Sequence, residues 1–384
     1  MAALHLITCE YPPLVGGVSE HSRVLAETAA AAGYDVHVWT GAPGAASEGV
    51  HVRPELGDFS ASALARADAA LNECAAPRRL VVQWVPHGYG RRGLNVGFSR
   101  WIRRRARAGD VVDLIVHEPF MDFFGPSWRQ PLVALVQRYM TWMMVRDVER
   151  VWLTIPGWGP RVRFARRRDQ SAPVTLPVPG TIPPVRDTAA VAALRRTLLA
   201  GRSQLIGCFG SSGRYAQDAI SAAVAGLASR HTDAAVVCFG RGSDALAREV
   251  TGKGGGIPVT GAGALELRDI SLHLQACDAL VQPYPDGVSG RRTTTVSAME
   301  HGVPVATTMG LLSETFWGET PAVEAVPADA PAGLSSALIS LLDPARNAAA
   351  RAAATALYRQ RFDPALTLKA LLAAPHPPRT EAVH

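Results

Sequence analysis

The sequence has 384 residues, of which 48% are hydrophobic and 35 are glycine, and it carries a formal net charge of +6. This composition excludes a mostly disordered, collagen-like or coiled-coil chain, and the length predicts two domains of about 150–200 residues each. The charge suits a nucleic acid or an anionic membrane as partner, but it selects neither, because 37 of the 39 basic residues are arginines scattered along the chain.

The first forty residues predict a βαβ unit, which is typical of a parallel sheet. Its elements are a strand at 3–9, a glycine loop, a helix at 19–32 ended by Gly33, and a strand at 35–40. Further strands are predicted at 79–85, 113–117 and 149–155, with helices at 94–108 and 131–147. A proline-rich stretch at 177–184 then indicates a linker between two domains.

A second αβ series follows the linker. Its strands are predicted at 204–209, 234–239, 257–260, 279–282 and 303–307, and its helices at 220–230, 270–276, 293–300, 332–342 and 348–358. In Rossmann-like halves of this kind, ligands bind beyond the carboxyl ends of the strands.

The five cysteines show no metal-binding spacing, and their odd number argues against a disulfide framework. The N-terminus lacks a signal-peptide pattern, and no stretch approaches the roughly 20 apolar residues of a membrane span. We therefore expect a cytoplasmic protein without a transmembrane segment.

Three segments carry a resemblance: the glycine loop, helix and strand at 10–40, the strand end VHEPF around His117, and residues 283–308. They resemble GT-B fold glycosyltransferases of the mostly retaining family four, the glycosyl transferases group 1. The resemblance covers about residues 3–360 and implies an α/β GT-B architecture of two Rossmann-like domains facing across a deep cleft. It implies an acceptor domain at 1–180 and a nucleotide-sugar donor domain at 190–345. Helices at 346–375 are expected to cross back to the first domain.

The third segment departs from the family pattern. The family has two glutamates eight positions apart, one for the donor sugar and one for the ribose, and these positions are Ser289 and Ser297 here. Glycines, hydroxyls and two guanidiniums at the start of a helix instead predict a phosphate cradle. Its candidate residues are Asp286, Gly287, Ser289, Gly290, Arg291, Arg292, Thr293 and Ser297. A solvated basic loop, or an arginine paired structurally with Asp286, is the alternative.

Four further residues are expected to contact the donor. Gly16 and Gly17 let the backbone approach a ligand at a helix N-terminus. In the resembled family this loop lies near the sugar diphosphate of the donor. The alternative is a tight turn without a ligand. Arg214 matches a family arginine that clamps the diphosphate, although the usual lysine is absent. Arg241 lies in the loop that the family places near the base.

The remaining candidates lie mostly in the first domain. The resemblance implies that His117 contacts the transferred sugar, with Glu118 assisting catalysis, unless both have structural roles. His87 is a candidate for the acceptor side, and Glu314 of the second domain is a weaker candidate for the cleft. No Asp-x-Asp motif occurs, which disfavours a metal-dependent GT-A enzyme and predicts no metal site.

The basic helix around residues 100–107 is compatible with a peripheral membrane contact, although a solvated basic face is the simpler interpretation. No signature of a nucleic-acid-binding module occurs.

Together these features predict a metal-independent, retaining glycosyltransferase without a cofactor. Its co-substrate would be a nucleotide-diphosphate sugar and its acceptor a small-molecule or lipid-linked hydroxyl. The alternatives are a GT-B type nucleotide-sugar epimerase and a catalytically inactive nucleotide-sugar-binding partner subunit, which the missing glutamates favour. The arginine and alanine abundance suggests a GC-rich bacterial genome and hence secondary metabolism or cell-envelope glycosylation.

Overall fold

The computed structural model describes residues 3–45, 47–90, 93–125, 127–148, 150–210, 213–230, 233–253 and 255–373. The chain divides into two compact units, the first formed by residues 1–177 and 364–384 and the second by residues 178–363. Each unit contains one parallel sheet with helices, which confirms the predicted α/β class.

Seven strands form the sheet of the first unit in the order β3-β2-β1-β4-β5-β6-β7. The strands are β1 (Ala3–Ile7), β2 (Asp35–Trp39), β3 (Val50–Arg53), β4 (Arg79–Trp84), β5 (Val111–Val116), β6 (Arg150–Leu153) and β7 (Val174–Thr175). The helices between them are α1 (Gly17–Ala31), α2 (Ala61–Asn72), α3 (Val96–Arg107), α4 (Gln130–Asp147) and α5 (Gly159–Val162). The strand order reverses between β1 and β4, so the carboxyl ends of these strands flank the switch point where such sheets bind ligands.

Six strands form the sheet of the second unit in the order β10-β9-β8-β11-β12-β13. Its elements in chain order are α6 (Thr188–Leu199), β8 (Gln204–Phe209), α7 (Arg214–Ala228), β9 (Ala234–Phe239), α8 (Ser243–Lys253), β10 (Val259–Gly261), α9 (Leu267–Ala276), β11 (Ala279–Gln282), α10 (Thr293–Glu300), β12 (Val305–Met309), α11 (Phe316–Glu319), β13 (Val323–Pro327), α12 (Leu334–Leu342) and α13 (Pro344–Arg361). The switch point of this sheet lies between β8 and β11.

Both faces of the second sheet are buried. Leu205 and Val237 belong to one hydrophobic cluster, whereas their strand neighbours Ile206 and Val236 belong to another. Because side chains alternate along a strand, each cluster lies on its own face of the sheet. The continuous apolar runs of the central strands follow from this two-sided burial.

The last two helices belong to different units. Helix α13 buries Ala350, Ala354 and Leu357 in the second unit. Helix α14 (Pro364–Ala373) belongs to the first unit, where the Thr367 hydroxyl donates a hydrogen bond to the Pro177 carbonyl at 3.0 Å. Residues 374–375 of the predicted C-terminal helical segment lie outside the described residues. None of the helices in the described part of the chain is long and apolar enough to cross a membrane.

Candidate functional site

Residues 283–292, called here the arginine loop, connect the end of β11 to the start of α10. The Asp286 carboxylate forms ion pairs with Arg291, at 2.6 Å between Oδ2 and Nη2, and with Arg292. The Arg292 guanidinium carbon lies 4.5 Å from the centre of the Tyr284 ring. One carboxylate therefore holds two guanidiniums at a helix N-terminus, and these three side chains together carry a net positive charge.

Hydroxyl groups surround the first turn of α10. The Tyr284 hydroxyl lies 2.8 Å from the hydroxyl oxygens of both Thr294 and Thr295. Gly287 has a φ of +86° and packs against the Gly310 backbone, so a side chain would be strained and would collide at this position. The loop is thus fixed by contacts from its own residues and from the segment that follows β12.

Two buried polar atoms of the arginine loop, Ser289 Oγ and Arg292 Nε, have no hydrogen-bond partner among the described residues. Leaving such groups buried and unpaired costs free energy, and a polar ligand that accepts and donates hydrogen bonds removes that cost. The hydroxyls, guanidiniums and helix N-terminus together match the chemistry of a phosphate group.

A carboxylate reaches the loop from 24 residues further along the chain. Both carboxylate oxygens of Glu314 accept the Gly290 N–H, each at 3.1 Å, and Oε2 also accepts the Trp317 indole N–H at 2.9 Å. Burial raises the pKa of Glu314 above its usual value. Glu314, a minor candidate in the sequence, therefore lies directly behind the loop and fixes its backbone.

Two residues of α10, Ser297 and Glu300, have structural partners. Ser297 is buried, and its hydroxyl oxygen accepts the Thr181 N–H at 3.4 Å. Glu300, at the opposite end of α10 from the loop, accepts a hydrogen bond from the Tyr358 hydroxyl at 2.9 Å. Burial raises the pKa of Glu300 to about 7. Ser297 thus contacts the predicted linker at Thr181, and Glu300 contacts helix α13 at Tyr358.

The two other predicted diphosphate residues of this unit are exposed. Arg214 begins α7, its side chain is 93% exposed, and its Nε lies 3.7 Å from Asp218 one helical turn later. Arg241 is exposed in the turn after β9. Ser211 and Ser212 of the predicted loop lie outside the described residues.

In the first unit, His117 follows β5 and belongs to a polar cluster with His21 and Gln83. His117 Nε2 lies 2.5 Å from the Gln83 side-chain oxygen, and the two histidine rings meet edge to face at 4.9 Å. Burial lowers the pKa of His21 to about 4, and burial together with His21 holds the pKa of His117 well below its usual value. Both rings are therefore neutral at pH 7, and His117 donates its Nε2 proton to Gln83.

His21 and Gln83 were not recognised as site residues in the sequence. A signal existed, since Gln83 is a polar residue within the apolar run RLVVQWV and His21 lies in the helix that follows the glycine loop. Neither is informative without the contact that joins them to His117.

The predicted acceptor-side residue lies beside the carboxylate that was predicted to assist catalysis. His87 follows β4 and Glu118 follows β5, and His87 Nδ1 lies 3.9 Å from Glu118 Oε2. Both side chains are substantially exposed, at 65% and 46%. Adjacent parallel strands thus bring together two residues that are 31 positions apart.

The glycine loop carries a carboxylate of its own. Glu10 Oε1 accepts the Ser19 N–H at 3.1 Å near the start of α1, and a Cβ on Gly16 would collide with the same carboxylate. Space around Gly17 is open. The Glu10 carboxylate therefore lies against the glycine loop, and only a glycine at position 16 leaves room for it. Across both units, no group of three or more histidine, cysteine or acidic side chains among the described residues is arranged to hold a metal ion.

The chain resembles a known protein family and several solved structures. Residues 203–344, which include the arginine loop and Glu314, match the family described as Glycosyl transferases group 1. No curated protein matches the chain. Among solved structures, the chain is similar to sucrose-phosphate synthase from Thermosynechococcus elongatus, with a TM-score of 0.70, 17% identity and coverage of 97% of this chain and 98% of that one.

Two further structures share the fold. Anabaena Alr3699/HepE, crystallised in complex with UDP and glucose, has a TM-score of 0.68 at 14% identity, with 97% and 98% of the two chains covered. WaaG, a glycosyltransferase involved in lipopolysaccharide biosynthesis, has a TM-score of 0.63 at 15% identity, with 97% and 100% covered. The chain therefore has the predicted GT-B fold, and residues 203–344 of its second unit match the Glycosyl transferases group 1 family.

Proposed function

We propose that this protein is a glycosyltransferase that moves a sugar from a nucleotide-diphosphate donor to a hydroxyl acceptor. The carrying observation is the pair of guanidiniums, Arg291 and Arg292, held on Asp286 at the N-terminus of α10. Guanidinium groups bind phosphate oxygens through paired hydrogen bonds, and the helix dipole adds attraction. The same groups stabilise the diphosphate as it departs, when its negative charge increases.

The donor-binding role is assigned to the second unit. Gly287, Ser289 and Gly290 lie in the arginine loop, and Thr293 follows it as the first residue of α10. The unpartnered Ser289 hydroxyl supplies a further hydrogen bond to the donor. Arg214 follows β8, which flanks the switch point, and Arg241 follows the neighbouring strand β9; they are assigned to the outer phosphate and the base. UDP is the first nucleotide to test, because Alr3699/HepE binds it on the same fold.

The reacting hydroxyl and the sugar are assigned to residues of the first unit. His117 is neutral at pH 7 and gives its Nε2 proton to Gln83, so it offers the sugar a hydrogen-bond acceptor, Nδ1, rather than a charge. Glu118, half-exposed and beside His87, is assigned to the acceptor hydroxyl, from which a carboxylate can take a proton. Reaction without a metal ion is proposed because the arginines supply the positive charge that the leaving diphosphate needs; retention is proposed from the family resemblance alone.

A second candidate is a nucleotide-sugar-binding subunit without activity. Buried serines at positions 289 and 297, where the resembled family carries glutamates, favour it. It shares the binding site of the first candidate but makes no product.

One experiment separates the candidates. The purified protein is incubated with UDP-, ADP- and GDP-sugars in the presence of EDTA, with and without hydroxyl acceptors. Nucleotide release and the anomeric configuration of the product are followed by NMR. Acceptor-dependent UDP release with retention supports the proposal, and its loss in an Arg291→Ala/Arg292→Ala variant locates the site.

Conversion of the donor sugar without an acceptor would indicate an epimerase. Saturable binding without any product would indicate a binding subunit. The absence of nucleotide binding would refute the donor site.

A further inference from the structure

Helix α4 in the first unit carries an apolar stripe on its exposed face. The stripe consists of Trp128, just before the helix, and Leu132, Leu135, Tyr139 and Trp142. The first four are 84%, 65%, 58% and 45% exposed, and Trp142 is partly exposed. Their spacing of four and three residues places them in one line about 21 Å long on a helix that rises 1.5 Å per residue.

Folding of the unit does not require this stripe. The opposite face of α4 buries Ala134, Met140, Met143 and Met144 in the protein interior. The loop before the helix extends the apolar surface, since the Phe124 side chain is 92% exposed. A contiguous exposed surface of this kind marks a site of interaction.

Arginines accompany the stripe along its length. The guanidinium carbon of Arg129 lies 4.9 Å from the Trp128 ring centre, and that of Arg146 lies 5.5 Å from the Trp142 ring centre. From the adjacent helix α3, Arg103 also lies over Trp142, at 5.9 Å. The apolar line is thus bordered by positive charge at both ends.

Negative charge on this surface is sparse and paired. Residues 96–107 and 121–147 contain eight arginines and two aspartates. Asp122 pairs with Arg161 at 2.8 Å, and Asp147 pairs with Arg103 at 2.5 Å and with Arg107 at 3.3 Å. The surface therefore presents apolar and aromatic side chains within a positive field.

We propose that the α4 stripe docks on an anionic lipid surface. Charge complementarity selects this occupant: a second copy of the chain would oppose arginines to arginines, whereas anionic headgroups attract them. Tryptophan and tyrosine suit the boundary between headgroups and acyl chains, and a helix with an apolar line between basic residues lies in that plane. The exposed arginines of α3, Arg100, Arg104 and Arg107, add attraction beside the stripe.

Vesicle co-sedimentation tests the proposal. Full-length protein is mixed with phosphatidylcholine vesicles that contain either no anionic lipid or about 30% phosphatidylglycerol. We expect binding to the anionic vesicles to be at least about tenfold tighter, and to weaken in about 0.5 M salt. A Leu132→Ser/Leu135→Ser variant should lose at least about tenfold in partition coefficient. The matched control is Leu311→Ser, which alters a leucine that is 93% exposed on the second unit and should not change binding.

Each other outcome overturns the proposal. Equal binding of the double variant would place the membrane contact elsewhere on the molecule. Equal binding to neutral vesicles would remove the role of the arginines. If wild-type protein ignores vesicles but forms a dimer that the double variant abolishes in sedimentation velocity, the occupant is a second copy. The altered side chains are exposed, so thermal unfolding should be unchanged; an Arg129→Gln variant, expected to weaken anionic binding, provides an independent test.

Discussion

Replacement of Arg291 by alanine gives the sharpest test of the arginine loop. In the unliganded protein the side chain is 19% exposed and its main partner is Asp286, which keeps Arg292 when Arg291 is removed. No buried carboxylate is left unpaired, so we expect the free energy of unfolding to fall by less than about 1 kcal/mol. The variant should therefore remain folded.

The effect on nucleotide binding should be larger. A charge-assisted hydrogen bond contributes about 1.5–3 kcal/mol, which corresponds to a rise of about 10- to 100-fold in the Kd for UDP. Isothermal titration calorimetry with UDP measures this change, and thermal unfolding checks the fold.

Arg346→Ala is the matched control. Its side chain is 29% exposed and pairs with Glu324 at 2.7 Å. Glu324 is near the start of β13, away from the carboxyl ends of the strands, where the ligand is expected. It removes the same charge from the same unit and should leave the Kd for UDP unchanged. If Arg291→Ala changes the Kd by less than about threefold, or if both variants weaken binding equally, the arginine loop does not contact the diphosphate.

Three other variants test helix α10, the support of the arginine loop and the histidine cluster of the first unit. Because burial raises the pKa of Glu300 from 4.5 to about 7, the folded chain binds a proton that the unfolded chain releases, and stability declines as pH rises through this range. Glu300→Gln should abolish that decline and raise the free energy of unfolding by about 3 kcal/mol above pH 7 in urea titrations; an unchanged slope would assign it to another group. Glu314→Ala should cost about 1–3 kcal/mol in the same titration and weaken UDP binding, since Gly290 loses its acceptor; unaltered values would show that the loop is held without it. His117→Ala should lower kcat at least about a hundredfold while the Kd for UDP alone stays constant, and a raised Kd would move His117 to the diphosphate.

The architecture was predictable because parallel sheets buried on both faces produce long apolar runs. Strands such as 79–85 and 204–209 could be recognised from these runs, and the structure has them at Arg79–Trp84 and Gln204–Phe209. The short strand β3 and helix α2 were missed, since β3 has only two valines and most apolar residues of α2 are alanines, which give a weak periodic signal. Ala350 and Ala354 of helix α13 pack in the second unit, and helix periodicity alone does not reveal which unit a helix packs against.

The sequence by itself determined the two α/β halves and the concentration of glycine, hydroxyl and guanidinium groups between β11 and α10. These features are local, because they depend on strand periodicity and on residues that are neighbours in the chain. The tertiary structure decided which groups meet: Glu314 behind Gly290, Gln83 against His117, and Glu10 at the start of α1. It also showed which apolar residues of α4 remain uncovered, since burial depends on what the rest of the chain packs against each face.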